Sequence, residues 1–385
     1  MASNSKHKNV VIVAGESSGD AHAASLVEEL KKLDNTISFR GMGGVLLRKA
    51  GVDVFIDMAK LSVMGIVEVL LKYTYIRSEL NKLKKNISEQ PPDLLILVDY
   101  QEFNQRLAAY AKSIGVKVLF YIGPSVWAWR PKRVYKMGKI VDHMAVILPF
   151  EKELYADANV PVTFTGHPLT NEVVADKTKQ QAREQLGIRQ QTTIGLFPGS
   201  RSSEIKRIFP VLLESAKQII KEKPGVQFIL PVANTSSEEL LAAFQAEINE
   251  LSIVVTKDKF YDVVQSCDVI LTASGTATLE IGLLEVPMVI VYKVSPLTFY
   301  IMRSLAITRF IGLVNIVPQK SVVKEFIQHE ATASNISEEA LQLLNDDKYY
   351  ETMKHELSLL RHQLGDGDGS KNVAELAWKM LNNKL

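Results

Sequence analysis

DVILTASGTATLEI, residues 268–281, runs a stretch that is apolar at nearly every position into Ser274-Gly275-Thr276 and from there into a helical pattern. A short strand that is apolar on both faces belongs in a parallel sheet covered by helices on each side. A glycine-containing turn that opens a helix at the end of such a strand leaves backbone amides pointing off the carboxyl edge of the sheet. Working outward, the same alternation recurs. TTIGLF (192–197), VQFILPV (226–232), LSIVV (251–255) and MVIVY (288–292) read as strands, with helices around 205–221, 260–266 and 276–284. In the first half VVIVA (10–14), LLILVD (94–99), VKVLFYI (116–122) and HMAVIL (143–148) are strands. Between them lie helical stretches such as AASLVEELKKL (23–33) and NQRLAAYAKSIG (104–115), the latter ending on a glycine suited to a helix C-terminus. Strand–helix alternation in both halves predicts an α/β protein of two Rossmann-like, doubly wound domains.

The expected organisation is a first domain over 1–168, a polar connection over 169–190 and a second domain over 191–345. After residue 320 only helical patterns remain. Residues 346–385 are therefore expected to be helices, packing on the outside or back on the first domain.

Composition removes several alternatives. The chain has 385 residues, 46% apolar and 23% charged, which is ordinary globular usage and sets aside disorder, collagen-like repeats and coiled coils. Lysine plus arginine number 45 against 43 acids, so no global field draws nucleic acid and any anion binding must be local. The single cysteine, Cys267, cannot form an internal disulfide and fits a reducing compartment. The apolar run from Val10 to Ala14 is too short for a signal peptide, and no stretch reaches the ~18 apolar residues of a spanning helix. The expectation is a soluble protein, or one that lies on a membrane without crossing it.

Ligands of parallel α/β sheets sit at the carboxyl ends of the strands, so the residues following each strand carry the functional argument. FPGSR ends strand 192–197: Gly199 permits close backbone approach, Ser200 can donate a hydrogen bond, and Arg201 offers a bidentate fork for phosphate. The bland alternative is a capped loop with a solvated arginine. Ser274-Gly275-Thr276 is a second anion-ready turn, and Glu280 one turn on can accept hydrogen bonds from both ribose hydroxyls. Two such loops in one half, with neither a Walker lysine nor GxGxxG, favour a nucleotide diphosphate over ATP or NAD.

In the first half AGESSGD (14–20) is no phosphate loop, because Glu16 and Asp20 would repel phosphate. Carboxylates here suit sugar hydroxyls or proton abstraction. Asp99 stands at another strand end with Glu102 behind it; it is either a general base or a cap of the helix near Asn104. GPSVWAWRPKRVYKMGK (123–139) combines Trp127 and Trp129 with Arg130, Lys132, Arg133, Lys136 and Lys139. Near-neutral overall charge argues against nucleic acid there, and the ordinary expectation is core tryptophans beside a solvated basic face. A phosphorylated, membrane-bound substrate is the functional option. Residues 61–85 and 296–314 are strongly apolar with interspersed cations; each is a packed helix by default and otherwise suits shallow insertion at anionic lipid. Metal has little support: Asp366-Gly-Asp368 follows no strand and reads as a turn, and the seven histidines lack ligand spacing. His167 reads as structural.

AGE-S-SGD, MGIVEVL, PSVWAWR-KRV-K, LPFEK, GHP, PGSR--E, ASGT-TLE and PM-V-Y, in this order, resemble the lipid-A-disaccharide synthase family over nearly the whole chain. The resemblance implies a GT-B fold, two domains facing across a cleft, with no metal and no cofactor. It implies an inverting glycosyltransferase that joins UDP-2,3-diacylglucosamine to 2,3-diacylglucosamine 1-phosphate, releasing lipid A disaccharide 1-phosphate and UDP. Carried over to this sequence, Gly199, Ser200, Arg201, Ser274, Gly275, Thr276 and Glu280 fall in the UDP motifs. Glu16 and Asp99 match the carboxylates implicated in catalysis, and Asn315 a functionally important asparagine. Location at the cytoplasmic face of the inner membrane, on an anionic surface, is implied as well, and a homodimer is admitted. The chain departs from the family at Asp99-Tyr-Gln-Glu102-Phe, where many relatives read Asp-Ala-Pro-Asp-Phe, and after Asn315. The rival readings are another GT-B UDP-N-acetylglucosamine transferase or epimerase, which would not need the lipid-seeking segments, and a non-catalytic nucleotide-sugar sensor.

Overall fold

The computed structural model describes residues 7–60, 73–129, 131–232, 235–257, 259–305, 307–365 and 367–385. The MGIVEVL stretch, Arg130 and Asp366 lie outside the described residues. The chain divides into two compact units, one formed by residues 1–168 with 364–385 and the other by 169–363.

In the first unit seven parallel strands are ordered β3-β2-β1-β4-β5-β6-β7. They are β1 (Asn9–Ala14), β2 (Ser38–Gly43), β3 (Asp53–Asp57), β4 (Leu94–Val98), β5 (Val118–Tyr121), β6 (His143–Val146) and β7 (Val162–Phe164). In β1 alternate residues serve opposite faces. Val10, Ile12 and Ala14 pack beneath helix Ser17–Leu33 and the last helix, Gly369–Leu381, through Val373, Ala377 and Met380. Val11 and Val13 face the other way, onto Leu83, Ile87 and Leu107. Both faces are therefore covered, which is why the strand reads as apolar throughout. Helix Tyr73–Glu89 contributes Leu80, Leu83 and Ile87 to that second core, so the described part of segment 61–85 is a packed helix.

The second unit repeats the plan with six parallel strands in the order β10-β9-β8-β11-β12-β13. These are β8 (Thr193–Phe197), β9 (Gln227–Pro231), β10 (Val254–Thr256), β11 (Val269–Ala273), β12 (Met288–Tyr292) and β13 (Glu325–Ile327). β13 corrects the expectation that only helices follow residue 320. Three residues flanked by lysine and glutamine are too few to show a period, and the strand exists because it pairs with β12 from Ile290↔Glu325 to Tyr292↔Ile327. Residues 169–190 hold two short helices, Leu169–Glu172 and Lys179–Gln185, within this unit. Arg183 fastens the latter by an ion pair to Asp268 at 2.6 Å. Helix Asp347–Gln363 also stays with this unit, and only residues 364–385 return to the first.

In each sheet the strand order reverses direction between two central neighbours, β1 with β4 and β8 with β11. Adjacent strands whose following helices leave in opposite directions open a crevice at their carboxyl ends, which is where such folds bind ligands.

Candidate functional site

At the switch point of the second unit, β8 ends in Pro198–Arg201 and β11 in Ser274–Thr276, and both turns line one cavity of about 850 Å³. Gly199 takes φ +95, and a Cβ there would collide with the Glu204 carboxylate, so this glycine is demanded twice by the turn itself. Glu204 folds back over the start of helix Ser202–Glu222: its Oε2 accepts from the Arg201 amide at 3.3 Å and its Oε1 from Arg201 Nη1 at 3.2 Å. The Arg201 side chain is 71% exposed, so its remaining donors are presented to the cavity by a pair at one edge. Ser200 is exposed beside it.

Gly275 has a different reason to be glycine. Its φ of 168 is extended backbone open to any residue, and a Cβ would meet nothing within 4 Å. Among the described residues nothing requires it. Helix Thr276–Leu283 starts at the next residue, with exposed Thr276 and buried Thr278, whose hydroxyl donates to the Gly275 carbonyl at 2.8 Å. The helix N-termini at Ser202 and Thr276 thus border one cavity, each with the positive end of its dipole there. One turn along, Glu280 is half-buried, and Tyr261 Oη donates to its Oε1 at 3.0 Å. Burial raises the Glu280 pKa first; Tyr261 opposes this and Glu172 adds to it by charge.

The cavity wall also includes Phe197, Lys257, Lys259, Phe260 and Tyr261, none singled out from the sequence. Lys257 to Tyr261 follow β10 directly. The apolar pattern places this strand over 251–255, one residue short of its end at Thr256. Phe197 and Phe260 rings lie 5.5 Å apart, and Phe260 meets Tyr261 edge-on at 5.9 Å.

At the switch point of the first unit, β1 and β4 end in register at Ala14↔Val98, which brings Gly15-Glu16 beside Asp99-Tyr100. Asp99 and Tyr100 both adopt left-handed backbone, φ +50 and +45, a conformation that costs non-glycine residues about 1–3 kcal/mol each and clusters at functional turns. The strain is held from several sides. Asp99 N donates to the Tyr121 carbonyl at 3.0 Å, Asn104 Nδ2 donates to the Asp99 carbonyl at 2.7 Å, and the Tyr100 ring lies against Gly15 where a Cβ would sit. Asp99 is not a helix cap, because helix Gln101–Ser113 starts after Tyr100 with no side-chain cap. Its carboxyl is pushed up to about 6, by burial first and then by the Glu16 charge. Glu16 is exposed and makes no cap bond to helix Ser17–Leu33.

Three further polar residues that the sequence drew out are engaged in structural contacts. Asp20 is 2% exposed and accepts from the amides of Gly44, Leu46 and Leu47 at 2.6, 2.9 and 3.4 Å, so it caps a neighbouring helix rather than meeting a sugar. Asn315 is fully buried. Its Nδ2 donates to the Val323 carbonyl and Glu325 Oε1, and its Oδ1 accepts from Val322 and Val323, so it pins segment 313–325 from within. Glu102 is exposed and pairs with Arg133 at 3.1 Å. Trp127 is half-buried, edge-on to Phe150 and donating to buried Glu151 at 3.2 Å, while Lys132, Lys136 and Lys139 are solvated. His167 is 7% exposed and burial, with the His22 charge second, pushes its pKa down to about 4, so it is a neutral structural imidazole.

Two doubly wound parallel units, each with polar turns at its switch point, define the GT-B class of fold. A UDP-GlcNAc 2-epimerase from Neisseria meningitidis, solved with UDP-GlcNAc, shares it: 16% identity, 96% of this chain and all of that one covered, TM-score 0.66. The family model for lipid-A-disaccharide synthetase matches residues 10–377. Lipid-A-disaccharide synthases of Geobacter metallireducens and Geobacter sulfurreducens are 47% and 46% identical, over 98% of both chains in the first pair and the full length of both in the second. The chain belongs to the lipid-A-disaccharide synthase family and is a hexosyltransferase of lipid A biosynthesis.

Proposed function

We propose that this enzyme transfers 2,3-diacylglucosamine from UDP to the 6-hydroxyl of 2,3-diacylglucosamine 1-phosphate, with inversion. The carrying observation is the single cavity bordered by two helix N-termini, Arg201 and Glu280. Amides and a guanidinium suit the diphosphate, and a carboxylate one turn on suits the ribose diol. Gly275, which the fold does not need, is accounted for when a phosphate rests against its backbone. Asp99 takes the proton from the acceptor hydroxyl, whose oxygen attacks the anomeric carbon as the bond to the β-phosphate breaks. Arg201 and the helix N-terminus at Thr276 then carry the charge that gathers on the departing UDP. Glu16 is the second choice for the base; beside Asp99 its main effect is to raise the partner's proton affinity.

Among the described residues no helix is long and apolar enough to cross a membrane. The acylated substrates imply work at an anionic lipid surface, and helix Pro296–Leu305 with its following loop supports that reading. Tyr300 and Ile307 are 68% and 60% exposed, while Arg303 and Arg309 lie over the rings of Phe299 and Phe310. The deciding assay measures UDP release from UDP-2,3-diacylglucosamine with and without the acylated sugar phosphate. Acceptor-dependent release is expected; release that ignores the acceptor, or needs no acyl chains, refutes the reading.

A further inference from the structure

We infer that Tyr261 is a positioning residue that sets the enzyme's preference for a ribonucleotide over a 2′-deoxyribonucleotide donor, acting through Glu280. The inference rests on the cavity being the UDP site. Its starting point is geometric: Tyr261 lines the cavity, and its hydroxyl donates to Glu280 Oε1 at 3.0 Å. A carboxylate has about four acceptor positions on two oxygens. One is occupied by Tyr261, which fixes the plane of the group and leaves Oε2 and the rest of Oε1 for two neighbouring hydroxyls. The cis 2′- and 3′-hydroxyls of ribose are such a pair of donors, whereas 2′-deoxyribose supplies one.

The tyrosine has a second task. Glu280 is partly buried and feels the charge of Glu172, both of which favour its protonation. A protonated carboxyl gives up acceptor capacity on one oxygen. Donation from Tyr261 opposes that, and burial and the Glu280 charge keep the phenol itself well above the ordinary tyrosine range, so it stays a donor. Its ring lies edge-on against Phe260, which in turn packs on Phe197 of β8, and this packing favours the hydroxyl's place beside the carboxylate.

Calorimetric titration of UDP and 2′-deoxy-UDP into the whole enzyme tests this, using wild type, Tyr261→Phe, Glu280→Gln and the double variant Tyr261→Phe/Glu172→Gln. Wild type should prefer UDP by roughly tenfold or more, the worth of a hydrogen bond to a charged acceptor. Tyr261→Phe should shrink that preference to about threefold or less and raise KM for the UDP-sugar, with kcat at saturation little changed. Adding Glu172→Gln should recover part of the lost preference, because it removes the competing charge. A Tyr261→Phe enzyme with the wild-type ratio, or one whose kcat falls while KM holds, overturns the role of Tyr261. A wild type that binds both nucleotides equally, or a Glu280→Gln variant that keeps the preference, overturns the ribose reading of Glu280 itself.

Discussion

The turns after β4 and β11 occupy equivalent places in two sheets of the same topology, yet they are built from opposite materials. After β4 the chain forces two side-chain-bearing residues, Asp99 and Tyr100, into left-handed backbone and so projects a carboxylate into a partly dry setting. After β11 it uses a glycine in extended backbone with open space around it, projecting amides instead. The first turn stores strain and raises a proton affinity; the second removes a side chain and offers partial positive charge. One supersecondary plan therefore presents a carboxylate in one unit and backbone amides in the other, the pair proposed above as proton acceptor and anion cradle. What distinguishes them is the pair of residues after each strand, Asp99-Tyr100 against Ser274-Gly275, and the pKa or dipole that their surroundings impose.

The sharpest way to break the comparison is to remove the acid. Asp99→Asn should lower kcat by roughly two to four powers of ten while leaving UDP affinity intact. Near-normal turnover in an acceptor-dependent assay, with UDP bound normally, would falsify Asp99 as the base. Next in size is Arg201→Ala, which deletes a charge donor from the anion side and should cost about two to three powers of ten in kcat. Steady-state rates at saturating donor will show it, and a change confined to KM would mean that Arg201 binds the ground state only.

Gly275→Ala probes the cradle more gently. Because the added methyl group meets nothing in the protein, thermal unfolding should barely move, yet UDP should bind about tenfold more weakly if a phosphate must approach that backbone. Unchanged UDP affinity would locate the diphosphate elsewhere. The smallest effect concerns pH. A base must be ionised, so activity should fall as pH drops through about 6, the value to which burial and Glu16 lift Asp99. Glu16→Gln removes a negative neighbour, which lowers the proton affinity of Asp99 and moves that acid limb to lower pH. A limb that stays put, or moves up, separates Glu16 from the titration of Asp99.

Much of this was legible one residue at a time. The long apolar runs β1, β4, β8, β11 and β12 announce themselves, and the turns after the first four, with Glu280 one helical turn further on, carry the residues proposed for UDP and proton transfer. Edge and irregular strands do not. β2 contains Arg40, Gly41 and Gly43, β3 is half exposed, and β7 and β13 have three residues each. Such stretches become strands through pairing with a neighbour already in place, a cause that no local pattern contains.

The polar residues divide in the same way. Glu16 and Asp20 lie four positions apart and look alike in sequence, but one is exposed beside Asp99 and the other is spent on three backbone amides. Asn315, for which the resemblance implies a function, holds segment 313–325 together through its side-chain hydrogen bonds. Nothing about Lys-x-Lys-Phe-Tyr is unusual in sequence until β10 delivers Lys257, Lys259, Phe260 and Tyr261 to the cavity wall.

By itself the sequence determined the class of fold and the family, because runs of buried apolar residues and the glycine, serine and arginine that follow them are written in order along the chain. Only the tertiary structure decided which acids remain available and what proton affinity each has. It also decided which glycine the turn requires, Gly199, and which stands in open space, Gly275. Those properties depend on neighbours that folding brings together, some from far along the chain, as with Tyr121 at Asp99 and Glu172 near Glu280, and some from the next turn, as with Asn104 at Asp99 and Glu204 against Gly199. Burial and charge act through space, and folding alone sets those distances.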